Sequence, residues 1–168
     1  MKKLLIFILV VMAATVASIM ALRPDQRSDL EKFREAMNFA IFDQYTDSAY
    51  GYSLTYPTFF QKEEYPDPAN GHAQFGYHAH NLNLVIECQV GATNQHKAPR
   101  GDFIDTGSVK FTDDYKYYSH HILKENHCFI LTFYYPRRAE NAVGRIIYRI
   151  KKWKPFSEKK LTLGNQEP

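Results

Sequence analysis

The sequence predicts an α+β fold: a mainly antiparallel sheet of about five to six strands, packed with an N-terminal and a C-terminal helix. Three observations carry this. Residues 72–90 alternate apolar and polar side chains at period two over two consecutive runs. The connections through the middle of the chain are turn-rich, the kind that join antiparallel neighbours. Residues 128–153 pass from an aromatic, β-branched run into an apolar stripe at helical spacing.

The chain opens on a targeting pattern. Lys2 and Lys3 precede Leu4–Leu22, 19 residues without a charge, with Thr15, Ala17, Ser18 and Ala21 crowding the distal end. That reads as a signal peptide over 1–21, cleaved after Ala17 or Ala21. The alternative is an uncleaved anchor, since a run of this length just spans a bilayer. Either way the body is exported, to the periplasm or beyond. Residues 22–158 then form a single α+β domain and 159–168 a polar tail.

Within the domain, Ser28 and Glu31 match a capping box, in which a hydroxyl and a carboxylate satisfy each other's orphan N–H groups. Leu30, Phe33, Met37, Ala40 and Ile41 continue as an apolar stripe, so a helix is predicted from there to about Phe42. Asp43–Gly51 is turn-rich. Tyr50, Tyr52, Leu54 and Tyr56 alternate as a half-buried strand ended by Pro57. Gln61–Gly71, with Pro66, Pro68 and Asn70-Gly71, reads as a loop.

The next two runs form a predicted hairpin. Ala73, Phe75, Tyr77 and Ala79 face one way, against His72, Gln74, His78 and His80. Leu82, Leu84, Ile86, Cys88 and Val90 face one way, against Asn83, Glu87 and Gln89. Gly91–Ser108 reads as a long irregular loop containing Arg100, with strand signal resuming at Val109–Phe111. Tyr115–Leu123 and Cys128–Tyr135 pair across the Lys124–His127 turn. Ala139, Ala142, Val143, Ile146, Ile147, Ile150 and Trp153 predict a helix of about four turns, stopped by Pro155.

Tyr56-Pro57 with Phe59-Phe60, and Tyr135-Pro136 followed by the Ile147/Ile150 helix, resemble the PsbP-like α/β/α sandwich family over about residues 50–155. That family includes photosystem accessory subunits and many small exported bacterial proteins. The resemblance implies a non-catalytic binding or assembly module. No functional motif of the family matches, so no site residue follows from it.

Charge is uneven. Residues 137–160 hold nine Lys/Arg against Glu140 and Glu158, net +7, whereas residues 22–136 are net −5. The basic helix face of Arg145, Arg149 and Lys152, with Arg100 in the long loop, is therefore the candidate contact surface for an anionic protein or envelope partner. The bland reading is a solvated face whose cations sit near the negative end of the helix dipole. Without Lys2 and Lys3 the chain carries only +1, little pull on phosphate backbones, so nucleic acid is not expected. Membrane contact is expected only through the N-terminal segment.

The rival reading is a small exported metal-dependent or hydrolytic enzyme on the histidine-rich sheet face. His78 and His80 share a strand face with His72, and His120 on a later strand would complete a metal site. Against it, no HExxH, G-x-S-x-G, P-loop or dinucleotide fingerprint occurs, and no motif requires a cofactor. Tyr115, Tyr117, Tyr118, Tyr134 and Tyr135 offer a stacking surface or, more simply, cross-strand sheet contacts. A Cys88–Cys128 disulfide would close a 41-residue loop, worth about 4 kcal/mol in the chain-entropy model. Strand parity argues against it, placing the two thiols on opposite faces of the sheet.

Overall fold

The computed structural model describes residues 11–15, 27–64, 71–92, 101–110, 112 and 114–156. Arg100, the polar tail and all of the N-terminal segment but 11–15 lie outside these residues. No helix among the described residues is long and apolar enough to cross a membrane.

The order is α1 (Asp29–Asn38), β1 (Phe42–Thr46), β2 (Ser53–Pro57), β3 (Gln61–Glu63), β4 (Ala73–Ala79), β5 (Leu82–Ala92), β6 (Phe103–Ser108), β7 (Tyr115–Lys124), β8 (His127–Pro136), a 3₁₀ helix (Arg137–Ala142) and α2 (Gly144–Lys151). Six strands form one sheet, β3-β4-β5-β8-β7-β6, and β1-β2 form a separate two-stranded sheet. Every pairing is antiparallel. The α+β class and the sheet of about six strands stand as read from the sequence.

The capping box forms as its residues dictate. Glu31 N donates to Ser28 Oγ at 3.3 Å, and Ser28 N donates to Glu31 Oε2 at 2.8 Å. The backbone donor from Ser28 holds the Glu31 carboxyl below its ordinary pKa. α1 nevertheless stops at Asn38, four residues short of the predicted end. Ile41, expected in its apolar stripe, is 72% exposed instead. Phe42–Thr46 becomes a strand because it pairs with Ser53–Pro57 across a turn built on Asp47. The Asp47 carboxylate accepts from Tyr50 N at 2.8 Å and Ala49 N at 3.0 Å, a local turn that fixes the hairpin.

The predicted β4–β5 hairpin is present, with Ala79 opposite Leu82 across a His80-Asn81 turn. Three further segments depart from expectation. Gln61–Glu63 is a short edge strand rather than loop. The long loop is much reduced, because β5 runs to Ala92 and β6 occupies Phe103–Ser108, upstream of the strand expected at Val109–Phe111. The C-terminal helix is broken in two. Val143 (φ −98°, ψ 2°) separates the 3₁₀ turn from α2, and α2 has 8 residues, about two turns. The break leaves the apolar stripe intact: Ala139, Val143, Ile146 and Ile150 are all buried.

Both helices and the β1-β2 hairpin cover the same face of the large sheet. Phe33 of α1 meets Tyr77 with ring centroids 5.3 Å apart, and Tyr56 of β2 stacks on Phe75 at 4.0 Å. His120 of β7 receives α2, its Nδ1 donating to Ile150 O at 2.8 Å. Between these layers lie Phe33, Tyr52, Leu54, Phe75, Leu84, Ile86, Leu131, Phe133, Ile146 and Ile150, all at most 2% exposed. Each such side chain contributes about 1.5–3 kcal/mol of hydrophobic stabilisation. No described element covers the opposite face. Six of its polar residues form one row of register partners across the six strands: Glu63, Gln74, Glu87, Thr132, Ser119 and Asp105.

Candidate functional site

The helix-covered side carries a groove of about 330 Å³ where α2 ends against the small sheet. Register fixes one wall. Gln44 pairs with Thr55 and Thr46 with Ser53, so these polar side chains share the outward face of β1-β2, while Tyr45, Leu54 and Tyr56 turn inward. Helical spacing fixes the other wall. Ile146 and Ile150 point into the core, which sends Tyr148, Arg149 and Lys152 outward to line the groove. Trp153 and Lys154 close it, with Trp153 Nε1 donating to Ser53 O at 2.7 Å and so tying the wall from α2 to the wall from β2.

The groove is cationic. Arg149, Lys152 and Lys154 line it, no Asp or Glu does, and none of the three cations has an ion-pair partner among the described residues. Arg149 lies over the Phe42 ring, which holds its charge at the lip. Near the cations are three large exposed apolar side chains: Phe39 at 82%, Ile41 at 72% and Tyr148 at 63%.

Arg145 sits on the same helix face but does different work. Its guanidinium donates to Met37 O, to Asn38 O at 3.3 Å and to Ala40 O at 3.0 Å. Met37 and Asn38 are the last residues of α1 and Ala40 lies just past its end, so the side chain holds the C-terminal turn of α1 from another helix. The predicted basic face therefore divides into a structural cation, Arg145, and two groove cations, Arg149 and Lys152. Lys154 joins the latter, which its position beyond the helix had hidden.

The histidines do not converge. His72 Nε2 is 2.8 Å from Glu87 Oε1, and both side chains are nearly buried. His78 Nε2 is 2.5 Å from Glu63 Oε1, and this hydrogen bond raises the His78 pKa. His80 lies in the β4–β5 turn, on a hollow with Arg27, Asp29 and Arg138. His120, expected beside them, is on the opposite, covered face, in register with Leu131 and Cys88. Among the described residues no group of three or more His, Cys, Asp or Glu is placed to hold a metal ion. The expected four-histidine site is thus corrected by strand parity.

Parity also settles the cysteines. Both are free thiols: Cys88 is buried on the core face, and Cys128 pairs with Gly91 on the open face. Burial pushes the Cys88 thiol well above its ordinary pKa, which leaves it an inert packing group.

A second cavity, of about 370 Å³, lies on the open face under the turn at Ser108–Lys110. Tyr117, Tyr134, Ser119, Thr132, His121 and Asp105 line it. Ser119 Oγ is 3.1 Å from His121 Nε2 and 2.8 Å from Thr132 Oγ1, and Tyr117 Oη donates to Asp105 Oδ2 at 3.1 Å. Desolvation lowers the His121 pKa. The tyrosine run is split by parity: Tyr117 and Tyr134 are partners here, whereas Tyr118 is in register with Phe133 on the covered face.

No protein-family model, no curated protein and no solved structure matches this chain. A functional reading therefore rests on the sequence, the fold and the geometry of these sites.

Proposed function

We propose that the protein is an exported, non-enzymatic binding module that takes an acidic partner of the cell envelope in the groove between α2 and the β1-β2 sheet. One observation carries the reading: three cations, Arg149, Lys152 and Lys154, surround one concavity with no carboxylate among its lining residues. Unpaired like charges gathered around a cavity repel one another, and an anion relieves that repulsion. The groove's hydroxyls, on Ser53, Thr55 and Tyr148, supply neutral donors beside the cations. Export rests on the charged start and apolar run of residues 2–22. The PsbP-like resemblance belongs to the same proposal and agrees with it in kind, a scaffold without a shared active site.

Retention on immobilised hexaglutamate tests it. The protein should be retained at low salt, elute as salt rises and lose retention in the Arg149→Gln/Lys152→Gln variant. An Arg137→Gln/Arg138→Gln variant removes the same charge elsewhere and should be retained as before. Equal retention of the two variants would show bulk charge rather than a site.

A second reading, hydrolysis on the open sheet face, is favoured by the Ser119–His121 contact alone. Ser119 is only 3% exposed and its hydroxyl is shared with Thr132, which is poor access for a nucleophile. Labelling by a fluorophosphonate probe, lost in Ser119→Ala, would establish it; an unlabelled protein would remove it.

A further inference from the structure

Charge explains only half of the surface around the groove. The most exposed large apolar side chains among the described residues, Phe39 and Ile41, flank Ala40, the residue whose carbonyl Arg145 holds. Tyr148 lies one helical turn from Arg145 and next to Arg149, and all three border a hollow at the start of α2. Phe42 joins the two regions, with Arg149 and Arg145 both over its ring, at 3.8 and 5.4 Å. Phe39 and Ile41, on either side of the Ala40 that Arg145 holds, and Tyr148, which lines the groove with Arg149, Lys152 and Lys154, thus make an exposed apolar rim around the start of α2. Exposed side chains of this size scattered singly need no explanation, but three together against an unpaired cationic groove do.

A soluble polyanion or acidic peptide would use the cations and leave Phe39 and Ile41 in water. A phospholipid surface uses both. Its anionic headgroups meet the lysines and arginine, its interface suits an aromatic with a polar tip such as Tyr148, and its acyl boundary takes the apolar side chains. We infer that this rim is a peripheral membrane-binding surface that docks on bilayers containing anionic phospholipid, with Phe39 and Ile41 entering the interface. The inference rests on the groove's proposed anion binding and names the source of the anion. It adds a contact made by the folded domain to any made by residues 4–22.

The test uses the full chain, whose only tryptophan is Trp153. A Phe39→Trp variant is mixed with vesicles of 30% phosphatidylglycerol in phosphatidylcholine, with brominated acyl chains, and quenching beyond that of the unsubstituted protein is read. The extra signal should appear with anionic vesicles and be absent with pure phosphatidylcholine. Arg149→Gln/Lys152→Gln should reduce partitioning about thirtyfold, from the ~1 kcal/mol that each basic residue near an anionic surface contributes. Equal quenching by both lipids, or quenching unaffected by the double substitution, would assign insertion to the N-terminal segment and overturn the inference. So would no extra quenching at all. In that case retained hexaglutamate binding shows that the groove takes a soluble acidic partner, and lost binding shows that the groove reading has failed as well.

Discussion

The guanidinium carbon of Arg149 lies 3.8 Å from the centroid of the Phe42 ring. The contact joins α2 to β1, two elements about a hundred residues apart, and holds a charge at the edge of the groove. A cation over an aromatic face at an exposed site contributes about 0.5–1 kcal/mol. A double-mutant cycle with Phe42→Leu and Arg149→Gln, followed by urea unfolding, should give a coupling energy of that size. A coupling of zero would mean that the arginine is not held there.

Arg145 should separate from its neighbours experimentally. Its guanidinium bonds the carbonyls of Met37, Asn38 and Ala40. Hydrogen bonds from charged groups contribute roughly 1.5–3 kcal/mol. Arg145→Gln should therefore cost about 2 kcal/mol of stability while leaving hexaglutamate affinity nearly unchanged. Arg149→Gln and Lys152→Gln should weaken hexaglutamate binding, with a stability cost no larger than the roughly 0.5–1 kcal/mol of the Phe42 contact. If Arg145→Gln weakens binding without lowering the urea midpoint, the division of the helix face is wrong.

Two histidines should titrate in opposite directions. The Glu63 hydrogen bond raises His78, and burial lowers His121. For His78 the folded state binds its proton more tightly than the unfolded chain does. Its contribution is complete below the ordinary value of about 6.5 and is lost as pH rises through the raised value. For His121 the sign reverses: the contribution is present above about 6.5 and is lost as pH falls. Imidazole NMR titration should place the two midpoints on either side of the ordinary value. Gly76 makes the His78 pair possible, since a Cβ there would collide with Glu63 Oε1 and His78 Nε2. Gly76→Ala should return His78 toward its ordinary midpoint and leave His121 where it is.

The α1 cap gives a simple stability test. Ser28→Ala removes the acceptor for Glu31 N and should cost about 1 kcal/mol. Glu31→Gln keeps a hydrogen-bonding side chain and should cost less. An unchanged unfolding midpoint in Ser28→Ala would show that α1 is held by Phe33 and Met37 packing alone.

What was legible in the sequence followed from short-range rules. Ser28 and Glu31 lie three residues apart and bond without help from the rest of the chain. Alternation in 72–90 fixed which side chains of β4 and β5 face the core, and the same parity separated Cys88 from Cys128. What escaped was decided by partners distant in sequence. β1, β3 and β6 are short, mostly exposed edge strands (FDQYT, QKE, FIDTGS) whose apolar pattern is too thin to see. They are strands because a neighbour offers a ladder. The helix face of Arg145, Arg149 and Lys152 was visible, but nothing local distinguishes the cation that holds the end of α1 from those that line the groove. The groove's other wall, Gln44, Ser53 and Thr55, is formed by a hairpin about a hundred residues earlier, and no spacing links it to α2.

The central claim is that the cationic groove binds an anion, and Trp153, which lines it, reports on it directly. Titrating the protein with hexaglutamate while following Trp153 emission should give a saturable change that weakens with salt and disappears in Arg149→Gln/Lys152→Gln. An emission that never changes, or that changes identically in the double variant, would contradict the account.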